Sequence, residues 1–102
     1  MKEALLESHK KAIASLCQKH NVWDLYVFGS ILTPHFNLQS DIDFLVKFGD
    51  IDLASYADNY FSLKFSLENL LHRKVDLLEI QALKNPYLRA SIDKFKVLLY
   101  RQ

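Results

Sequence analysis

Gly29-Ser30 closes an apolar stretch, Val27-Phe28-Gly29-Ser30, and ten residues later the chain reads Ser40-Asp41-Ile42-Asp43-Phe44-Leu45-Val46. Side chains alternate across a strand, so Asp41 and Asp43 share one face of such a segment while Ile42 and Phe44 take the other. Paired carboxylates suit magnesium, a hard ion that takes oxygen ligands and often a bound phosphate. A Gly-Ser turn that opens a helical segment offers backbone N–H groups and a hydroxyl to an anion. Together these groups describe a site for a nucleoside triphosphate and its metal ions. Asp50-Ile51-Asp52 repeats the spacing, but it follows Gly49 in a turn, where Asp50 or Asp52 is expected to cap the next helix.

Two-metal phosphoryl transfer also has to hold and deprotonate the attacking oxygen. A third carboxylate on a neighbouring strand would serve, and Asp76 in Arg73-Lys74-Val75-Asp76-Leu77-Leu78-Glu79 is the acidic residue inside an apolar run. Val75 and Leu77 should face the core and Asp76 the opposite side. A solvated edge aspartate beside Lys74 is the plainer reading; the upstream groups favour the metal-site one. His35 is expected in an exposed loop, and His9, His20 and His72 are spaced unlike a metal site. Two readings stand for Ser40, which either orients Asp41 or caps a local turn.

The elements that must carry these groups follow from periodicity. Residues 3–20 place Leu5, Leu6, Ala12, Ile13, Leu16 and Cys17 at helical spacing. Val22 to Phe28 is a short strand rich in β-branched and aromatic residues. Residues 29–40, with Gly29, Pro34 and Asn37, form a helical turn and a loop, and residues 41–48 the carboxylate strand. A long helix then runs to about Leu71 with a stripe of Leu53, Tyr56, Ala57, Tyr60, Leu67, Leu70 and Leu71. Phe61 and Phe65 lie to one side, as part of a wide buried face or as a partner surface. Tyr56, Tyr60, Tyr87 and Tyr100 belong to core or interface. Lys74 to Ile80 is a third strand. Asn85-Pro86 opens a short helix to about Asp93, and Val97 to Tyr100 is a candidate final strand. The fold class is α+β, one small mixed β-sheet packed with helices, in a single domain over residues 1–102.

Composition narrows the function. The chain has 102 residues, half of them hydrophobic and a quarter charged, with a net charge of +1. So balanced a charge gives no electrostatic basis for broad binding to nucleic acid or to a membrane surface. The single cysteine, Cys17, cannot form an intrachain disulfide and reads as core. No signal peptide and no membrane-length apolar run is visible, so a cytoplasmic location is expected.

These residues resemble the minimal nucleotidyltransferases of the DNA-polymerase-beta-type superfamily, short bacterial proteins that act as antitoxins beside HEPN-domain toxins. The matching parts are Gly29-Ser30, Ser40-Asp41-Ile42-Asp43, Arg73-Lys74-Val75-Asp76 and Pro86-Tyr87-Leu88-Arg89, spread over nearly the whole chain. The resemblance implies a nucleotidyltransferase fold. It implies that Gly29 and Ser30 hold the triphosphate of ATP, that Asp41 and Asp43 ligate two Mg2+ ions, and that Asp76 completes the metal site and helps activate the acceptor hydroxyl. AMP would pass to a tyrosine of a HEPN toxin and silence it. Two departures stand out. Family members carry arginines just after Gly-Ser, where this chain has Ile31-Leu32-Thr33-Pro34-His35, and His72 stands where a glycine is usual. Lys47, Arg73 and Lys74 are the candidate replacements for the missing charge. The alternative function is a module of this fold that neutralises its partner by binding alone. Transfer to a small molecule is disfavoured, since so short a chain has little left to build an acceptor pocket.

Overall fold

Apolar strands, each bounded by turn residues, build a sheet whose best-buried residues are its own. The computed structural model describes the backbone of residues 2–102 and the side chains from Leu5 onward. Strands β1 (Val22–Phe28), β2 (Ile42–Phe48), β3 (Val75–Glu79) and β4 (Val97–Arg101) lie in the order β3-β2-β1-β4. β1 is antiparallel to both β2 and β4, and β2 is parallel to β3. The parallel pair needs a crossover, which helix α3 (Leu53–Leu71) supplies. The sheet is therefore mixed, as expected. Ile42, Phe44, Val46 and Phe48 of β2 face the main core with Leu25, Val27, Val75 and Leu77.

Helices α1 (Lys2–Glu7) and α2 (Lys10–Lys19) replace the single helix expected over residues 3–20. The break falls at Ser8-His9, where the Ser8 hydroxyl and the His9 ring both turn to the Leu5 carbonyl, at 3.3 and 2.9 Å. Side chains that bond nearby carbonyls compete with the helical ladder. Ile13 and Cys17 of α2 are buried, and burial pushes the Cys17 thiol up to about 12, so it packs as an inert apolar group. His20, 4% exposed, ties α2 to α3: its Nδ1 lies 2.7 Å from the Leu16 carbonyl and its Nε2 2.9 Å from the Ser62 hydroxyl. A carbonyl only accepts, so Nδ1 carries a proton toward Leu16.

The expected stripe of α3 needs correction. Leu63, Leu67 and Leu71 are its buried residues, whereas Leu53 is 92% exposed and Ala57 is exposed. Leu53, at the first position of the helix, points away from the sheet, while Tyr56 in the same turn packs edge-on against Phe48 and bonds Glu79 at the end of β3. Asp52 occupies the N-cap position but its side chain makes no capping bond. Phe61 and Phe65 are not part of a wide buried face; they stack on each other half-exposed, with centroids 5.9 Å apart. Tyr56, Tyr60 and Tyr100 pack against the core, and Tyr87 is exposed.

Helix α4 (Pro86–Phe95) starts as expected, with the Asn85 side chain accepting from the N–H groups of Tyr87 and Leu88. Lys96, at its end, lies over the Tyr26 ring at 4.4 Å. Tyr26 stands opposite Leu45, which brings the end of α4 to the carboxylate face of the sheet. Among the described residues, no helix is long and apolar enough to cross a membrane.

Candidate active site

The site is built where β1 ends and β2 begins. Phe28 and Asp43 are ladder partners, and Gly29 follows Phe28 at once. Gly29 turns the chain with a φ of +81°, and residues Gly29–Leu32 form one tight helical turn. A left-handed backbone favours glycine. Absence of a side chain matters as much here, because a Cβ on Gly29 would stand 2.1 Å from Asp43 Oδ2. The turn is pinned from below by Ile31, which is buried in the main core, and from within by Thr33, whose hydroxyl donates to the Ser30 carbonyl at 2.8 Å.

Asp43 is partly buried and is the electrostatic centre of the site. Burial raises its carboxyl above the ordinary value, the charges of Asp76 and Asp41 raise it further, and a bond from the Ser30 backbone N–H pulls it back. The Ser30 N–H thus serves the carboxylate of Asp43. Asp41 lies just before β2 and is exposed. Asp76 is the ladder partner of Asp43 across β3 and is exposed between buried Val75 and Leu77, on the side expected. The fold thus brings Gly29, Ser30, Asp41, Asp43 and Asp76 together.

An oxygen-only set of carboxylates, in which the charges of Asp76 and Asp41 bear on Asp43, suits a hard divalent cation. None of the three makes an ion pair among the described residues. No three His, Cys, Asp or Glu side chains among those residues are gathered closely enough to enclose one ion by themselves. Phosphate oxygens would have to complete the shell, the usual arrangement for magnesium bound with a nucleotide.

The surrounding side chains settle other expectations. Ser40 accepts from the Asn37 N–H at 3.0 Å, so it caps a local turn. His35 is exposed in the loop. Arg73 lies across that loop, its guanidinium 4.3 Å from the Phe36 ring centroid and bonded to the Asn37 carbonyl, with Nε buried and unpartnered. Lys47 lies over the Trp23 ring, 5.2 Å from its centroid. Two residues that the sequence did not single out for the site hold β3 in place. Glu68 accepts from the Val75 N–H at 2.9 Å, and the Tyr60 hydroxyl donates to the Leu77 carbonyl, so together they bracket Asp76. Burial, then Asp76 and Glu79, raise the Tyr60 phenol, which keeps it a donor. Neither contact leaves a local signature, because both partners are distant in sequence.

A mixed sheet with a Gly-Ser turn against a two-carboxylate strand, and a third carboxylate on the parallel neighbour, defines a nucleotidyl-transfer fold. The family described as polymerase beta, nucleotidyltransferase matches residues 10–102, and the chain belongs to that family as a nucleotidyltransferase. Two relatives from Methanocaldococcus jannaschii carry the provisional name protein adenylyltransferase. One is 33% and the other 37% identical over 90 residues, which span 88% of this chain and 86% of each relative. A solved structure described as a minimal nucleotidyltransferase superposes with a TM-score of 0.75 at 30% identity, covering 90% of both chains. The fold is also shared with a chain of a complex between a tri-AMPylated HEPN toxin and its MNT antitoxin from Shewanella oneidensis. There the TM-score is 0.65 at 20% identity, over 100% of this chain and 74% of the other.

Proposed function

We propose that this protein transfers AMP from ATP, with magnesium, to a tyrosine hydroxyl of a HEPN-domain partner in the cytoplasm and thereby neutralises it. The observation that carries the reading is the row of Asp41, Asp43 and Asp76 set against the Gly29-Ser30 turn. Asp41 and Asp43 would hold two metal ions and Asp76 would join them from β3. Bound there, the ions would polarise the phosphoryl oxygens and offset the charge that develops on the entering and leaving oxygens. The Ser30 hydroxyl would donate to the triphosphate tail. Gly29 admits Asp43 to the floor of the turn. Asp76, exposed on the neighbouring strand, would orient the acceptor hydroxyl and draw off its proton. The names of the Methanocaldococcus relatives and the HEPN complex of the Shewanella protein support the choice of nucleotide and partner. Adding AMP puts bulk and negative charge on the acceptor, which would disable a site there.

A second reading, a module that neutralises its partner by binding alone, draws on the segment Ile31 to His35, which holds no lysine or arginine. One experiment separates the two. The protein is incubated with magnesium, ATP labelled at the α-phosphate and the protein encoded beside it. Label on the partner, lost with Asp41→Asn while the complex still forms, is the expected result. An unlabelled partner in a stable complex would sink the transfer reading in favour of binding.

A further inference from the structure

We propose that Lys74 contacts the α-phosphoryl group during transfer; this rests on the reading of the protein as a nucleotidyltransferase acting through Asp41, Asp43 and Asp76. The need arises from charge. The row of carboxylates meets a polyanionic substrate, and the segment after the Gly-Ser turn supplies no lysine or arginine. Of the three candidate replacements, two are placed elsewhere. Lys47 is four residues beyond Asp43 along β2, about 13 Å away, and lies over Trp23. Arg73 is engaged by Phe36 and the Asn37 carbonyl.

Lys74 differs from both. Its carbonyl accepts from the Ile42 N–H at 3.0 Å, which extends the β2–β3 ladder by one residue and sets Lys74 beside Asp41. Strand alternation gives it the face of Asp76, two residues on, rather than the core face of Val75. Its side chain is exposed and makes no ion pair or hydrogen bond among the described residues. A cation that borders carboxylates without pairing with them is available to an anionic substrate.

Strand order decides which part of the substrate it meets. The Gly-Ser turn lies at the end of β1, the carboxylate pair at the start of β2, and Lys74 on the β3 side. Two strand spacings, roughly 9–10 Å, separate the two flanks. A triphosphate tail held at the turn lays its α-phosphate across β2, towards Lys74 and the acceptor. There the bond between the acceptor oxygen and the α-phosphorus forms and the bond to the bridging oxygen breaks. Pyrophosphate leaves with that electron pair, and the acceptor proton passes to a carboxylate. Lys74 donates to the non-bridging oxygens as their charge builds, and so acts on the transition state more than on nucleotide binding.

The test compares wild type with Lys74→Met and Lys74→Arg. Transfer of α-labelled AMP to the neighbouring-encoded partner gives kcat and KM for ATP. Calorimetry gives the Kd of a non-hydrolysable ATP analogue with magnesium, and thermal unfolding confirms folding. Lys74→Met is expected to lose about 100-fold in kcat, to keep Kd within about threefold and Tm within a degree or so, and Lys74→Arg to recover most of the rate. Unchanged kcat in Lys74→Met overturns the proposal, as does a Kd that weakens in step with the rate, which would make Lys74 a clamp on the tail. A wild type that transfers nothing overturns the transfer reading itself, and this one with it.

Discussion

Asp43 Oδ2 occupies the space where a side chain on Gly29 would begin, 2.1 Å from the Cβ position. The glycine of the turn and the second carboxylate of the strand are thus one structural unit. Gly29→Ala meets two penalties, a left-handed backbone at φ +81° and a collision with the carboxylate. The backbone part alone costs about 1–2 kcal/mol. The variant should unfold at lower temperature and lose transfer. Combining it with Asp43→Ala should recover part of the stability and none of the activity. A fully additive double mutant would show that the two residues do not share this space.

The raised carboxyl of Asp43 sets a pH dependence. Its folded-state pKa lies above the ordinary 3.8, with burial as the largest cause. This group's contribution to stability is therefore fully present below about pH 4 and is lost as pH rises through its folded value. In chelator, Asp43→Asn should gain on wild type in Tm as pH goes from 4 to 7. Magnesium should raise the Tm of wild type at neutral pH and have less effect on the variant. Melting curves across that range, with and without the ion, check both. No gain of the variant on wild type between pH 4 and 7 in chelator would contradict the assignment.

His72 ends α3 in the left-handed conformation, with φ +54° and its N–H bonded to the Glu68 carbonyl. This explains why a glycine is usual there, since glycine alone adopts that conformation without steric cost. His72→Gly should stabilise the fold by about 1 kcal/mol, or roughly 4–8 °C in Tm for a domain of this size. Because it leaves the carboxylates in place, transfer should be unchanged.

Leu63 and Leu53 test the corrected face of α3. Leu63→Ala empties a fully buried position and should cost about 2–5 kcal/mol. Leu53→Ala, at a position 92% exposed, should fall within about 0.5 kcal/mol of wild type. Denaturant midpoints at constant slope measure both, and similar losses at the two sites would restore the original stripe.

Much of this molecule was legible along the chain because its signals are local. β1 matches residue for residue, Asn85-Pro86 starts α4, and alternation alone sends Asp76 away from the Val75–Leu77 core. Each depends on neighbours one to three positions apart, where periodicity and capping chemistry operate. The break at Ser8-His9 was also local, but it arises from side-chain bonds to the Leu5 carbonyl that compete with a helical pattern otherwise unbroken.

By itself the sequence determined residue types, their alternation on strands and the spacing of Gly29-Ser30 from Asp41 and Asp43. Tertiary structure decided which groups share one small volume: Asp43 under Gly29, Asp76 beside Asp43, Arg73 over Phe36, and Lys74 next to Asp41. It also decided that Leu63, Leu67 and Leu71 of α3 are buried while Leu53 and Ala57 are not. The physical reason is common to all of these. They depend on strand order, register and the packing of helix on sheet, which arise when residues far apart in sequence come together and which no local pattern records.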